Sequence, residues 1–255
     1  MSALHLILHD DLAELRLDNP SKLNAFSVAM LDALDAHCSA IDHNPHITCV
    51  IVTAAGERAF CTGADINAWG DLAPADFARA WVRDGHRVFD RLARLSKPTI
   101  GVLSGHAFGG GLELAAACDI RVMVPNATLG LPEASVGIVP GWSGTQRLTR
   151  LLPEAVLKEM ALFGRRLNAQ RAYELGFVTE IATDARAAAM AIAAGMKGQS
   201  RRSVEVAKYM IHAAVGEDRA AMIEALGSGM IAASADKAEG VAAFRGKRKP
   251  EFPGN

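Results

Sequence analysis

The stretch Gly105–Leu148, GHAFGGGLELAAACDIRVMVPNATLGLPEASVGIVPGWSGTQRL, decides how this chain is read. A glycine triplet, Gly109, Gly110 and Gly111, is followed at once by a helix-like run carrying one acid, Glu113. A strand-like segment, Ile120–Val124, comes next. Then a second acid, Glu133, follows Pro132 within an otherwise apolar segment. Apolar strand, glycine turn and helix in alternation are the repeating signature of an α/β domain with mostly parallel pairing.

The same alternation extends outward. Thr48–Thr53 and Thr99–Leu103 are continuous apolar runs of the kind found in strands buried on both faces. Between them, apolar spacing predicts a helix from about Pro74 to Leu95. The N-terminal part reads as a hairpin, Leu4–His9 and Ala13–Leu17, turning at His9-Asp10-Asp11. Ser27 is placed to cap a helix that runs to about Asn44. Short helices are expected at Gln146–Leu152, Glu154–Phe163 and Asn168–Leu175, with a last strand at Val178–Ile181. This predicts an α/β core over residues 1–183.

From residue 184 to 255 the composition changes. Alanine crowds Ala185–Ala194, and strand-like runs stop. Val204, Ala207 and Ile211 share one face, as do Ile223, Leu226 and Met230, giving amphipathic helices with narrow apolar stripes. A helical region of about 70 residues buries little surface alone. It is expected to dock on the core or on a neighbouring subunit, and oligomerisation is the default.

Composition narrows the classes of function. Of 255 residues half are hydrophobic and 22% charged, and the formal net charge is -1. That balance argues against nucleic acid or an anionic membrane as the main partner. Residues 1–15 have neither a basic n-region nor a long apolar h-region, so no secretory signal is read there. No apolar run reaches the roughly 20 residues of a membrane span. Cys38, Cys49, Cys61 and Cys118 lack metal-ligand spacing and read as reduced thiols, which points to a cytoplasmic protein.

The residues able to carry chemistry lie mostly in the opening stretch. Glycines 109–111 serve either as a tight turn or as an open helix N-terminus whose unpaired N–H groups stabilise an oxyanion. Neither GxxxxGK[ST] nor a GxGxxG after a strand is present, so nucleotide fingerprints are missing. Glu113 sits among Leu112, Leu114 and three alanines, which implies a buried carboxylate. Desolvation and mutual repulsion would separate the proton affinities of Glu113 and Glu133, giving an acid and a base suited to adding or removing water. Thr62, just before Gly63, could lend a second backbone N–H. His106 reads as structural, and Ser143 in GWSG is not a nucleophile elbow.

Three segments in combination, AFCTGADI, KPTIGVLSGHAFGGGLELAAACDIRV and LGLPEASVGIVPGWSGTQRLTRLLP, resemble the enoyl-CoA hydratase/isomerase (crotonase) superfamily. The similarity runs from SKLNAFS to FRGKRKPEF. It implies a spiral of repeated β-β-α units with a C-terminal helical part that forms a homotrimer or a dimer of trimers. It also implies acyl-CoA thioesters as substrates, with coenzyme A entering only as part of the substrate and no metal or redox cofactor. By this resemblance Thr62 and Gly110 supply the oxyanion-hole N–H groups. Glu113 and Glu133 hold and activate water.

The resemblance further matches Ala64, Asp65 and Ile66 to the CoA adenine and ribose, Lys22, Leu23 and Ala25 to the pantetheine and phosphate path, and Lys247 or Lys249 to a CoA phosphate. Gly109 belongs to the same loop. Trp142 departs from the pattern, since a small residue is frequent there, and bears on the acyl pocket. Both glutamates together favour an enoyl-CoA hydratase. The alternatives are a double-bond isomerase, a lyase on a functionalised acyl-CoA, or a non-catalytic CoA-ester-binding scaffold.

Overall fold

The computed structural model describes residues 3–217 and 219–255. In chain order the elements are β1 (Ala3–His9), β2 (Leu12–Asp18), α1 (Val28–Asp42), β3 (Cys49–Ala54), β4 (Ala59–Cys61), α2 (Ile66–Trp69), α3 (Pro74–Asp76) and α4 (Arg83–Ala93). Next come β5 (Thr99–Leu103), β6 (His106–Phe108), α5 (Gly110–Ala117), β7 (Ile120–Met123), β8 (Thr128–Gly130), α6 (Gly144–Leu151) and α7 (Glu154–Phe163). β9 (Leu167–Asn168), α8 (Ala169–Glu174), β10 (Glu180–Ile181) and α9 (Ala185–Ala194) follow. The chain ends with α10 (Arg201–Ala214), α11 (Arg219–Ala232) and α12 (Ala235–Arg245).

Two sheets, rather than one, carry the α/β part. The larger has the order β1-β2-β3-β5-β7-β10, and the smaller β4-β6-β8-β9. The β1–β2 hairpin is antiparallel, and from β2 to β10 every neighbour in the large sheet is parallel. Each of β3, β5 and β7 continues into a three-residue strand of the small sheet, so the chain winds as a β-β-α spiral. The residues of β4, β6 and β8 read as loop in the sequence, because three residues are too few to show a period. The expected Pro74–Leu95 helix is also interrupted: Phe77–Val82 forms a π-helical segment between α3 and α4.

The large sheet is buried on both faces, as its unbroken apolar strands require. Val50 and Val52 face the main core with Phe26, Leu34, Phe60 and Phe89, while Cys49, Ile51, Ile100 and Val102 face the other way, toward Ala185 and Ala189 of α9. This corrects the boundary expected after Thr183. The alanine-rich helix covers one face of the sheet, its small side chains allowing close approach. The first compact unit therefore runs through Gln199, and the second comprises Ser200–Asn255.

Within the second unit, α10 packs on α11 and α11 on α12. Ser200 and Ser234 cap α10 and α12 by accepting the N–H groups of Ser203 and Lys237. Ile211, Ile223 and Met230, expected on apolar stripes, are exposed in the single chain. Among the described residues no helix is long and apolar enough to cross a membrane.

One polar cluster ties α9 to the sheet. Glu14, buried on β2, accepts hydrogen bonds from Thr53 Oγ1 and Arg186, and its carboxylate meets the His9 ring. Burial opposes ionisation, but these partners outweigh it and hold the carboxyl down at about 2. A depressed acid stabilises the fold above its ordinary value of 4.5 and loses that contribution as pH falls toward 2. Arg186→Ala should therefore cost about 1–2 kcal/mol at neutral pH. Urea unfolding should show that cost shrinking below pH ~4.

Candidate active site

The site is built where the first turn of α5 meets the turn after β4. Gly109 precedes α5 with φ +53°, a left-handed value that glycine adopts without strain. A methyl group on Gly111 would lie 2.0 Å from the Cys61 carbonyl oxygen, so only glycine allows this approach. Gly63 packs on the same turn, its missing Cβ 3.3 Å from the Gly110 nitrogen. The Gly110 N–H heads the helix and has no intrahelical acceptor.

The second donor is not the one expected. The Thr62 N–H is directed away from α5 and donates to the Leu23 carbonyl at 3.2 Å. Gly63, with φ +101°, then reverses the backbone. Phe26 pairs with the Gly63 carbonyl and the Asp65 N–H, as in a parallel bridge centred on Ala64. In that pattern the Ala64 N–H points to the opposite side, toward the cleft. Neither the Ala64 nor the Gly110 N–H has an acceptor among the described residues. The Ala64 N–H, rather than that of Thr62, therefore shares the cleft with the Gly110 N–H.

Both glutamates border one cleft, which encloses about 720 Å³ continuous with solvent. Oε1 of Glu113 accepts N–H donations from Trp142 at 2.8 Å and Gly144 at 2.6 Å, locking the carboxylate to the loop before α6. Glu133 begins a 3-10 turn, Glu133–Val136, and a methyl group on Gly109 would lie 2.9 Å from its Oε1. Its Oε2 is buried without a hydrogen-bond partner among the described residues. Burial, and then the nearby charge of Glu133, push Glu113 up to about 7 against the pull of the two amide donors. Burial raises Glu133 as well. Two desolvated carboxyls of like charge retain a proton between them toward neutral pH.

The remaining walls are apolar: Ile66, Trp69, Phe77, Trp81, Val82, Val136, Ile138, Val139 and Trp142. Lys22, Leu23, Ala25 and Asp65 lie just outside this lining. Lys22 Nζ donates to Asp65 Oδ2 at 2.5 Å, which pins the early loop to the turn after β4. Buried Asn19 and Asn24 brace that loop by donating to the carbonyls of Ala25, and of Ala55 and Ala59. Lys247 and Lys249 belong to the second unit, beyond α12, and are exposed. Among the described residues no group of three His, Cys, Asp or Glu is placed to hold a metal ion.

The sequence pattern of the Enoyl-CoA hydratase/isomerase family matches residues 9–255. The chain belongs to this family. Crotonyl-CoA hydratase of Syntrophomonas wolfei is 32% identical over 95% of this chain and 95% of its own. Carnitinyl-CoA dehydratase of Proteus mirabilis is 34% identical over 99% of this chain and 98% of its own. The solved enoyl-CoA hydratase of Bacillus anthracis superposes with a TM-score of 0.81 at 30% identity, covering 99% of both chains.

For this enoyl-CoA hydratase/isomerase family member, the residues expected from the sequence that meet at one cleft are Thr62, Ala64, Ile66, Gly109, Gly110, Glu113, Glu133 and Trp142. Sequence reasoning missed the Trp142 and Gly144 amides that hold Glu113, and the aromatic walls from α2 to α4. The only signal for the amides was GWSG, a loop rich in small residues immediately before a helix.

The carboxyl pair has a measurable signature. A raised acid stabilises the fold fully below its ordinary 4.5 and loses that contribution as pH rises through about 7. Across that window the melting temperature of the wild type should fall relative to Glu113→Gln. Calorimetric scans giving parallel curves for the two proteins would contradict a buried, coupled carboxyl pair.

Proposed function

We propose that the chain is an enoyl-CoA hydratase, adding water reversibly to a 2-enoyl-CoA thioester to give a 3-hydroxyacyl-CoA. The observation that carries this reading is the placement of two buried carboxyls, one of them clamped by two amides, in the same cleft as two backbone N–H groups that have no acceptor among the described residues.

The thioester oxygen accepts from the Ala64 and Gly110 N–H groups, which draws electron density from Cβ. Glu113, pushed up to about 7, is partly ionised at neutral pH, and the two amide donations to its Oε1 favour that charged form; we assign it the role of base, and the role of acid to Glu133, whose Oε2 has no donor among the described residues. Glu113 accepts a proton from water as its oxygen bonds to Cβ. Glu133 delivers its proton to Cα as the enolate collapses, and transfer of a proton between the carboxyls restores the starting state. Dehydration of the hydroxyacyl thioester follows the same path backward. Acid–base and electrostatic catalysis complete the reaction, coenzyme A serving as the handle of the substrate.

Each acid–base contribution is worth about 10²–10⁴-fold. Glu113→Gln and Glu133→Gln should therefore each lower kcat for crotonyl-CoA hydration by at least ~10²-fold, followed by loss of enoyl-thioester absorbance. Replacing the Ala64 amide N–H with an ester oxygen should cost about 10²–10³-fold in kcat. Equal activity of the ester-containing enzyme would remove Ala64 from the mechanism. Assembly as a homotrimer or a dimer of trimers belongs to the same reading, and the exposed apolar positions Ile211, Ile223 and Met230 support it.

A further inference from the structure

The cleft has a mouth and a floor. Ile66, Val136 and Val139 at its rim are 53%, 51% and 77% exposed, whereas Trp81 and Trp142 are 6% and 3% exposed. The Trp142 indole lies directly beneath the reacting centre: a methyl group on Gly110 would sit 2.9 Å from its Cε3. On its other side a methyl group on Gly85 of α4 would sit 2.1 Å from its Nε1. Two glycines therefore make the slot that the ring fills.

The slot is also closed at its edges. The ring meets Phe89, Trp81 and Phe26 with centroid separations of 5.1, 5.2 and 6.1 Å. Its Nε1–H donates to the Trp81 carbonyl at 3.3 Å, near the junction of the π-helical segment with α4. Behind it lie Phe26 and Phe89, both fully buried. A side chain packed between two helices, hydrogen-bonded at its tip and backed by the core is held in place on every side.

We propose that Trp142 is a specificity-determining residue that closes the acyl compartment and restricts this enzyme to short acyl groups. The inference deepens the acyl-thioester reading above and rests on it. With the thioester oxygen on the Ala64 and Gly110 N–H groups, the Cα and Cβ atoms lie between Glu113 and Glu133. The carbons beyond Cβ then run onto the indole. Replacing the ring with a smaller side chain opens a space roughly the size of an indole, continuous with the cleft and bounded by Gly85, Phe26 and Phe89. An acyl chain entering an open apolar groove gains roughly fourfold in affinity for each added CH2. One that meets a rigid wall gains nothing, or loses.

The test measures binding of saturated thioesters, which hydration cannot turn over. Butyryl-, hexanoyl-, octanoyl- and dodecanoyl-CoA are titrated calorimetrically against wild type, Trp142→Ala and Trp142→Phe. The wild type should bind dodecanoyl-CoA at least ~10-fold more weakly than butyryl-CoA. Trp142→Ala should reverse that order, with Trp142→Phe between them and guarding against a misfolded alanine variant. Wild-type affinity that climbs with chain length, or an unchanged length preference in either folded variant, overturns the proposal. The reaction is read separately with crotonyl-CoA. Intact length preference without turnover would retain the role of Trp142 and reject the hydratase reading, whereas turnover without length preference would do the opposite.

Discussion

Backbone contact between α5 and β4 is the constraint on which the site depends. With no side chain on Gly111, the helix start approaches the Cys61 carbonyl more closely than any other residue would permit. That approach sets the Gly110 N–H beside the turn carrying Ala64, and it places Glu113 one helical turn further in, under the cleft. The donors are backbone amides, so their geometry is fixed by packing rather than by rotamer choice. Such donors need little reorganisation when charge develops on a thioester oxygen.

The same packing explains why burying two carboxyls is tolerable. An isolated buried carboxylate is expensive, and a second one nearby makes it more so. Here Glu113 receives two amide hydrogen bonds from the loop before α6, where Ser143 takes φ +86° to set its neighbours' N–H groups in line. A non-glycine residue in that region stores strain, and the bonds to Glu113 offset it. Glu133 has no comparable support, and its Oε2 has no donor among the described residues. The asymmetry separates a base from an acid without any difference in residue type.

Much of this was legible in the sequence, and the limits have identifiable causes. Alternation of β-branched runs with amphipathic segments located the strands of the large sheet and α1, α5 and α7 closely, because a face buried over five or more residues leaves a period. The small sheet left none: β4, β6 and β8 have three residues each, and their pairing is set by the spiral's register. Glu113 and Glu133 stood out because acids are rare among apolar neighbours. Thr62 was read as a donor from its place just before Gly63, whereas the reversal at Gly63, φ +101°, depends on tertiary pairing with Phe26 and has no local signature. α9 was assigned to the helical tail on composition, yet the alanines that weaken a helix as an independent core are what let it lie flat on a sheet.

Reaction type and substrate scope are encoded in different materials here. The groups proposed to act on the thioester are two amides and two carboxyls, all fixed by the contact of α5 with its neighbours. The apolar walls of the cleft come from two distant segments, the stretch from Ile66 to Val82 and the loop from Val136 to Trp142, with Gly85 of α4 making room for the Trp142 ring. A bulky ring in that loop is possible only because Gly85, far away in sequence, vacates the facing position. The pairing of a large residue with a remote glycine cannot be read from either one alone. Packing conserves volume across an interface rather than along a chain, so any residue larger than glycine at position 85 would exclude the ring at position 142.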